Sequence, residues 1–203
     1  GDVIPVVTGN SWWMNTPNPA TVVYGQGSAS CYTDSPSHDA CDHTLSLEAY
    51  GRLYNHHAVM SWKGLCPTGW HVPSDEDWFT LEAHLGMDES TGLYSANWRG
   101  TDEGHKLKST SGWADQNNGD PGGGSNATGF NARPGGWRDS YDGAFRTAGE
   151  WTYFWTSESS TYNQWFDYYT AISRRLNWVR DEVYRGSAPE NRGLSVRCIR
   201  DAD

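Results

Sequence analysis

The alternation of apolar and polar positions sets the outline of this chain. After Pro73 the run Ser74–Asp75–Glu76–Asp77 leads into apolar residues at Trp78, Leu81 and Leu85, spaced i, i+3 and i+7 on one helical face. Ser74 suits the N-cap, and Asp77 stands where a capping box places its acid. Three acids in the first turn match the positive end of the helix dipole, and Gly86 supplies the stop. The pattern predicts a helix over 75–85, with a shorter helical turn around Asp102–Lys108. Elsewhere the signal is strand-like. Phe154–Ser157, Gln164–Tyr169, Leu176–Val179 and Leu194–Ile199 are aromatic or β-branched runs separated by polar turns. Gly51–Val59 alternates loosely and reads as a further strand. Val3–Val7 reads as a short strand interrupted by Pro5, and Ser11–Met14 as an apolar patch.

Between the helix and the later strands, Gly112–Gly136 is rich in Gly, Asn and Asp and predicts a long irregular loop. The order of strands, helix, loop and strands predicts an α+β fold with a mostly antiparallel sheet. No linker-like stretch divides the chain, so residues 1–203 read as a single domain. Residues 1–49 form an extended lead-in packed on a core of 50–201.

Composition changes this picture in one respect. The chain holds 12 Trp and 11 Tyr, and each large ring can bury roughly 150–250 Å². The core is therefore expected to be aromatic. Trp70, Trp78, Trp155 and Trp165 are assigned to it, and His71 is expected to pack beside them. The net charge of −10 with scattered Lys and Arg argues against a nucleic-acid partner. No apolar run reaches the ~18 residues that suggest a membrane-spanning helix, so membrane insertion is not expected.

Four cysteines allow three pairings. Cys31 and Cys41 bracket a short polar loop, while Cys66 and Cys198 each sit in a short apolar segment near opposite ends of the core. We pair Cys31–Cys41 and Cys66–Cys198. A zinc site with His38 or His43 is the alternative, weakened by the lack of a CxxC pair. Two disulfides place the protein outside the cytosol, secreted or on a cell surface. If Cys66 and Cys198 bond, their segments pair at a base and hold out everything between them.

Five ordered blocks carry a resemblance. Gly51–Asn55, Leu65–Ser74, Gly104–Thr110, Gly129–Gly136 and Ser195–Asp201 resemble the Fibrobacter succinogenes major paralogous domain over roughly residues 50–201. The lead-in, with Trp12–Asn15, is more weakly similar to that domain's N-terminal part. The resemblance implies a C-type lectin-like fold whose end strands join at the base below a long loop region. It also implies a bacterial secreted or surface protein. Related folds include formylglycine-generating oxidases and variable receptor-binding proteins, so fold alone leaves function open.

For catalysis the residues offer little. No HExxH, GxSxG, Walker or GxGxxG motif is present. His56 and His57, adjacent on a predicted strand, face opposite sides and cannot share one ion. Asp115, Asn117, Asn118 and Asp120 concentrate oxygen donors in a Gly-rich turn, so they are the candidate calcium ligands. The motifs of sugar-binding C-type lectins, Glu-Pro-Asn and Trp-Asn-Asp, are absent. Sugars stack their apolar faces on Trp and Tyr, and polar side chains take up the hydroxyls. On that basis Trp113, Trp137, Tyr162, Asn163, Trp178, Arg180 and Tyr184 are the candidate ligand contacts, on loops and strands of 112–190. The function expected is a non-catalytic recognition or adhesion module for a glycan or a cell-surface protein, in a larger surface or fibre protein. The alternatives are an oxidase of the formylglycine-generating type and a purely structural module.

Overall fold

A computed structural model describes residues 3–27, 30–33, 35–88, 96–116, 119–165 and 167–201. In chain order its elements are α1 (Asn10–Asn15), β1 (Thr21–Val23), β2 (Cys31–Thr33), α2 (His43–Tyr50), β3 (Arg52–Tyr54), α3 (His56–Val59), β4 (Trp70–His71) and α4 (Asp75–His84). Then follow β5 (Asn97–Arg99), α5 (Glu103–Leu107), β6 (Gly135–Arg138), β7 (Phe145–Ala148), β8 (Trp151–Trp155), β9 (Thr161–Asn163), β10 (Tyr168–Asn177), β11 (Val183–Pro189) and β12 (Ile199–Arg200). The fold is mixed α+β and mostly strand. The main sheet runs β2-β7-β6-β8-β10-β11-β5, with β9 on β10. Its pairs are antiparallel except β2–β7 and β6–β8.

The helix predicted over 75–85 forms as α4, and Ser74 and Asp77 make the reciprocal capping box. The helix at 102–108 forms as α5. The predicted strand Gly51–Val59 is divided. β3 ends at Tyr54, and Asn55 then caps α3, its Oδ1 accepting from Ala58 N at 3.1 Å and from Ala20 N at 2.9 Å. His56 and His57 therefore lie on a helical turn. His56 is buried against Trp155, and burial lowers its pKa to about 4. Val3–Val7 contributes a single bridge, Val6 to Thr21. Of the predicted strand Leu176–Val179, only Leu176 and Asn177 are strand, as the end of β10, and of Leu194–Ile199 only Ile199 lies in a named strand, β12.

The lead-in is more than an extended cover. It supplies α1, β1, β2 and α2, and β2 joins the main sheet. Trp13, Ala20, Val22 and Tyr24 share one core cluster with Leu53, Phe145 and Ala148. Arg138 fixes it from the sheet side. Its guanidinium, fully buried, lies on the Trp13 and Phe145 rings at 4.6 and 5.0 Å. It donates to the carbonyls of Val7 (2.7 Å), Thr8 (2.6 Å) and Gly143 (3.0 Å). Burial lowers its pKa to about 10.

Beneath α4 a second cluster joins Trp78 to Leu107, Trp113, Phe154, Leu176 and Val183. The buried face of α4 also carries acids, which the apolar spacing did not reveal. Asp75 accepts from Arg174 (2.6 Å) and Arg185 (2.5 Å), and Glu82 from Arg174 (2.6 Å) and Arg99 (2.5 Å). Burial pushes the Asp75 carboxyl up, but Arg185 and Arg174 outweigh it and hold the pKa below the usual value.

Both disulfides form as paired, Cys31–Cys41 and Cys66–Cys198. β4 and β12 pair antiparallel beside the second, joining the ends of the core. Trp70 and His71 are not packed there as expected. Trp70 is 45% exposed, and the His71 ring stands between Asp201 (2.6 Å) and Asp77 (3.4 Å) at the surface.

Candidate functional site

The strand period of two sorts β8 cleanly. Thr152 and Phe154 face α4, while Trp151, Tyr153 and Trp155 face the other way. The Trp155 end is closed over: its Nε1 donates to the Tyr54 carbonyl at 2.7 Å, and Leu194 and Ala188 pack with it. Toward Trp151 the face opens, and a transverse row of side chains lies across it.

Register builds that row. Arg175 on β10 is opposite Tyr153 on one side and Tyr184 of β11 on the other. Tyr184 is opposite Trp98 of β5. On the far side of Tyr153, the Trp137 ring of β6 meets it edge-on at 4.9 Å. The order across five strands is Trp98–Tyr184–Arg175–Tyr153–Trp137. The Arg175 guanidinium lies over the Tyr184 and Tyr153 rings at 4.7 and 5.3 Å, and the Trp98 and Tyr184 rings meet at 5.3 Å. Trp151 stacks on Tyr153 at 5.9 Å and approaches Trp98 (6.2 Å) and Trp178 (6.3 Å). Arg180 caps the Trp98 end at 5.0 Å, and Arg192 caps the Trp137 end at 5.7 Å. Cross-strand aromatic pairs of this kind stabilise a sheet while leaving ring surface open. Tyr153 is buried, Arg180 is exposed and the other members are half-buried. Burial raises the Tyr153 pKa to about 12, so the hydroxyl stays protonated.

Gly136 sets the position of Trp137. It holds φ +60, and a Cβ there would meet the Arg146 carbonyl oxygen at 2.3 Å. Glycine alone lets β6 approach β7 so closely. Beyond Arg192 the surface dips into a cavity of about 420 Å³ lined by Asp139, Tyr141, Tyr169, Glu190 and Arg192.

Four of the sequence-predicted contacts, Trp137, Trp178, Arg180 and Tyr184, come together here. Trp113 does not. It is 4% exposed, with Nε1 donating to Ser109 Oγ at 3.0 Å, so its ring is core and out of reach of a ligand. Tyr162 and Asn163 lie on β9, outside the row. Tyr162 packs on Tyr169 at 5.4 Å, and Asn163 Oδ1 accepts from Trp165 N at 3.0 Å. Trp165, assigned to the core, is 84% exposed because it sits in the turn between β9 and β10 rather than in a strand. Of the candidate calcium ligands, Asn117 and Asn118 lie outside the described residues. Asp115 and Asp120 flank them, the Asp120 carbonyl accepting from Gln116 N at 2.7 Å. Among the described residues no group of three His, Cys, Asp or Glu is placed to hold a metal. Sequence reasoning missed Trp98, Trp151, Tyr153, Arg175 and Arg192. The alternation Trp151–Tyr153–Trp155 was the available signal; the rest needed the register.

The family model of the Fibrobacter succinogenes major domain matches residues 6–200. The chain belongs to this family. The match takes in nearly the whole lead-in, so the Fibrobacter succinogenes major domain begins well before residue 50, in keeping with the lead-in's share of the core. No curated protein and no solved structure matches the chain. In this Fibrobacter succinogenes major domain the transverse row offers ring faces and edges for stacking and guanidinium groups for hydrogen bonding. No bond-making chemistry is needed for either.

Proposed function

We propose that this domain is a non-catalytic recognition module that binds a glycan on the half-buried members of the row, Trp98, Tyr184, Arg175 and Trp137 with Trp151 beside them, while the buried Tyr153 supports them from beneath. The single observation that carries the reading is the row itself. Five strands place aromatic rings and an arginine at one level, and all of them but Tyr153 keep part of their surface exposed. Sugar rings present apolar C–H faces that stack on such rings, and their hydroxyls accept from the flanking guanidinium groups. The fold is read as C-type lectin-like, supported by the joined ends at β4 and β12 and the long loops above them. The two disulfides support a secreted or cell-surface setting. An oxidase of the formylglycine-generating type would need a reactive thiol, and all four cysteines are bonded.

The test is a broad glycan array read with calcium and with a chelator, followed by titration of the hits using tryptophan fluorescence. Trp98→Ala and Trp151→Ala are expected to weaken binding at least about tenfold, the scale of an interface hot spot. Trp165→Ala, away from the row, is expected to leave it unchanged. An array without hits overturns the reading and favours a structural role. Trp, Tyr and Arg are also the residues that dominate protein interfaces. A protein ligand is therefore the second reading, recognised by binding to a cell surface that protease treatment abolishes.

A further inference from the structure

We infer that the ligand of this row is an acidic glycan, a polymer carrying sugar carboxylates. The inference rests on the glycan reading above and narrows it. It starts from Arg175. This guanidinium is sandwiched by the Tyr153 and Tyr184 rings at the centre of the row. Among the described residues no carboxylate lies within ion-pair distance of it. Its protein oxygen partner is the Ser187 carbonyl at 2.6 Å, and its Nε is buried without a partner. A partly buried cation lacking a counter-charge is costly. The cost is the more notable in a chain with 25 acidic residues against 15 basic ones.

The contrast with the opposite face of the same sheet is informative. There Arg174, the residue just before it, meets two carboxylates at 2.6 Å each. Acids are thus supplied where arginines serve packing under α4, and none is supplied at Arg175. At the ends of the row the pairing is loose: Arg180 is 3.4 Å from Glu182 and Arg192 is 4.0 Å from Asp139. Arg192 Nε is likewise buried without a partner. Three guanidinium groups are therefore interleaved with apolar rings. At the usual strand spacing of ~4.8 Å, the five strands span about 19 Å. A chain of sugar rings with a carboxylate on successive units complements both features: C–H faces over the rings, and carboxylates at the arginines. Guanidinium binds carboxylate through paired charged hydrogen bonds. A neutral glycan would fill the rings and leave the cations unanswered.

Oligogalacturonate and its fully methyl-esterified form separate the two ideas, because they share a backbone and differ in charge. Titrated in low salt, the acid is expected to bind roughly tenfold or more tightly than the ester, the scale of a hydrogen bond to a charged group. That advantage is expected to shrink as salt is raised. Arg175→Gln is expected to abolish the preference, with circular dichroism and the thermal midpoint reporting that the variant is folded; a folded variant that keeps the full preference overturns the inference. Arg180→Gln, at the exposed end, is expected to reduce the preference partly. Equal affinity for acid and ester overturns the acidic-ligand inference and leaves the glycan reading intact. Binding of other neutral glycans on the array with no binding of the acid does the same. An array without any hit overturns both.

Discussion

At the scale of single residues, two histidines report on pH in opposite senses. His56 is buried beside Trp155 with its pKa lowered to about 4 by burial. Above pH 6.5 it is neutral in both folded and unfolded chains. As pH falls from 6.5 toward 4, the unfolded chain takes up a proton that the folded one refuses, so stability falls. The loss levels off at about 3 kcal/mol, from 1.36 kcal/mol per unit. Urea midpoints at pH 7 and pH 4.5 are expected to differ by less in His56→Gln than in the parent. His71 runs the other way. Asp201, and then Asp77, raise its pKa. Its contribution is full below the ordinary histidine value and disappears as pH rises through the raised one. The ring is exposed, so the amplitude is small. Gly136 gives a pH-independent test. Gly136→Ala puts a Cβ against the Arg146 carbonyl in a left-handed backbone. It is expected to cost at least about 1–2 kcal/mol in thermal unfolding and to weaken ligand binding by displacing Trp137.

At the scale of elements, α4 and the sheet beneath it are coupled by charge. Removing one acid there leaves buried arginines unanswered. Asp75→Asn is expected to destabilise by roughly 3–5 kcal/mol, read from chemical denaturation. Asp102→Asn, which breaks only the surface pair with Lys106, is expected to cost less than about 1 kcal/mol. These elements also mark what the chain discloses about itself. The cap at Ser74, the acids behind it and the stop at Gly86 are local signals, so α4 was legible from its own residues. Asp75 and Glu82 look like solvent-facing positions in sequence; their burial depends on Arg99, Arg174 and Arg185 arriving from distant strands. The same holds for the transverse row. Trp137, Trp178, Arg180 and Tyr184 could be picked by residue type, but their meeting is a matter of register between β5, β11, β10, β8 and β6. Trp113 and Trp165 exchanged roles for the same reason: loop composition says little about which ring turns inward. Asn55 as a helix cap converted a predicted strand into α3, a case of local capping overriding loose alternation.

At the scale of the whole molecule, the two cross-links differ in reach. Cys66–Cys198 closes a separation of 132 residues and Cys31–Cys41 one of 10. In the chain-entropy picture the long closure contributes roughly 5 kcal/mol and the short one about 2.5. Replacing Cys66 and Cys198 together by Ala is expected to lower the denaturation midpoint further than replacing Cys31 and Cys41. The lead-in is held by something other than a covalent bond. Arg138 gathers the carbonyls of Val7 and Thr8, and Asn191 Nδ2 donates to the Met14 carbonyl at 3.0 Å. The Cys66–Cys198 bond has a mechanical corollary. Tension applied near Asp201 reaches Cys198 within a few residues and passes through covalent sulfur into Cys66. The hydrogen bonds between β4 and β12 lie on the Asp201 side of that bond and open first; beyond Cys198 the load divides between two backbone paths, through Arg197 and through Cys66, so neither carries the whole of it.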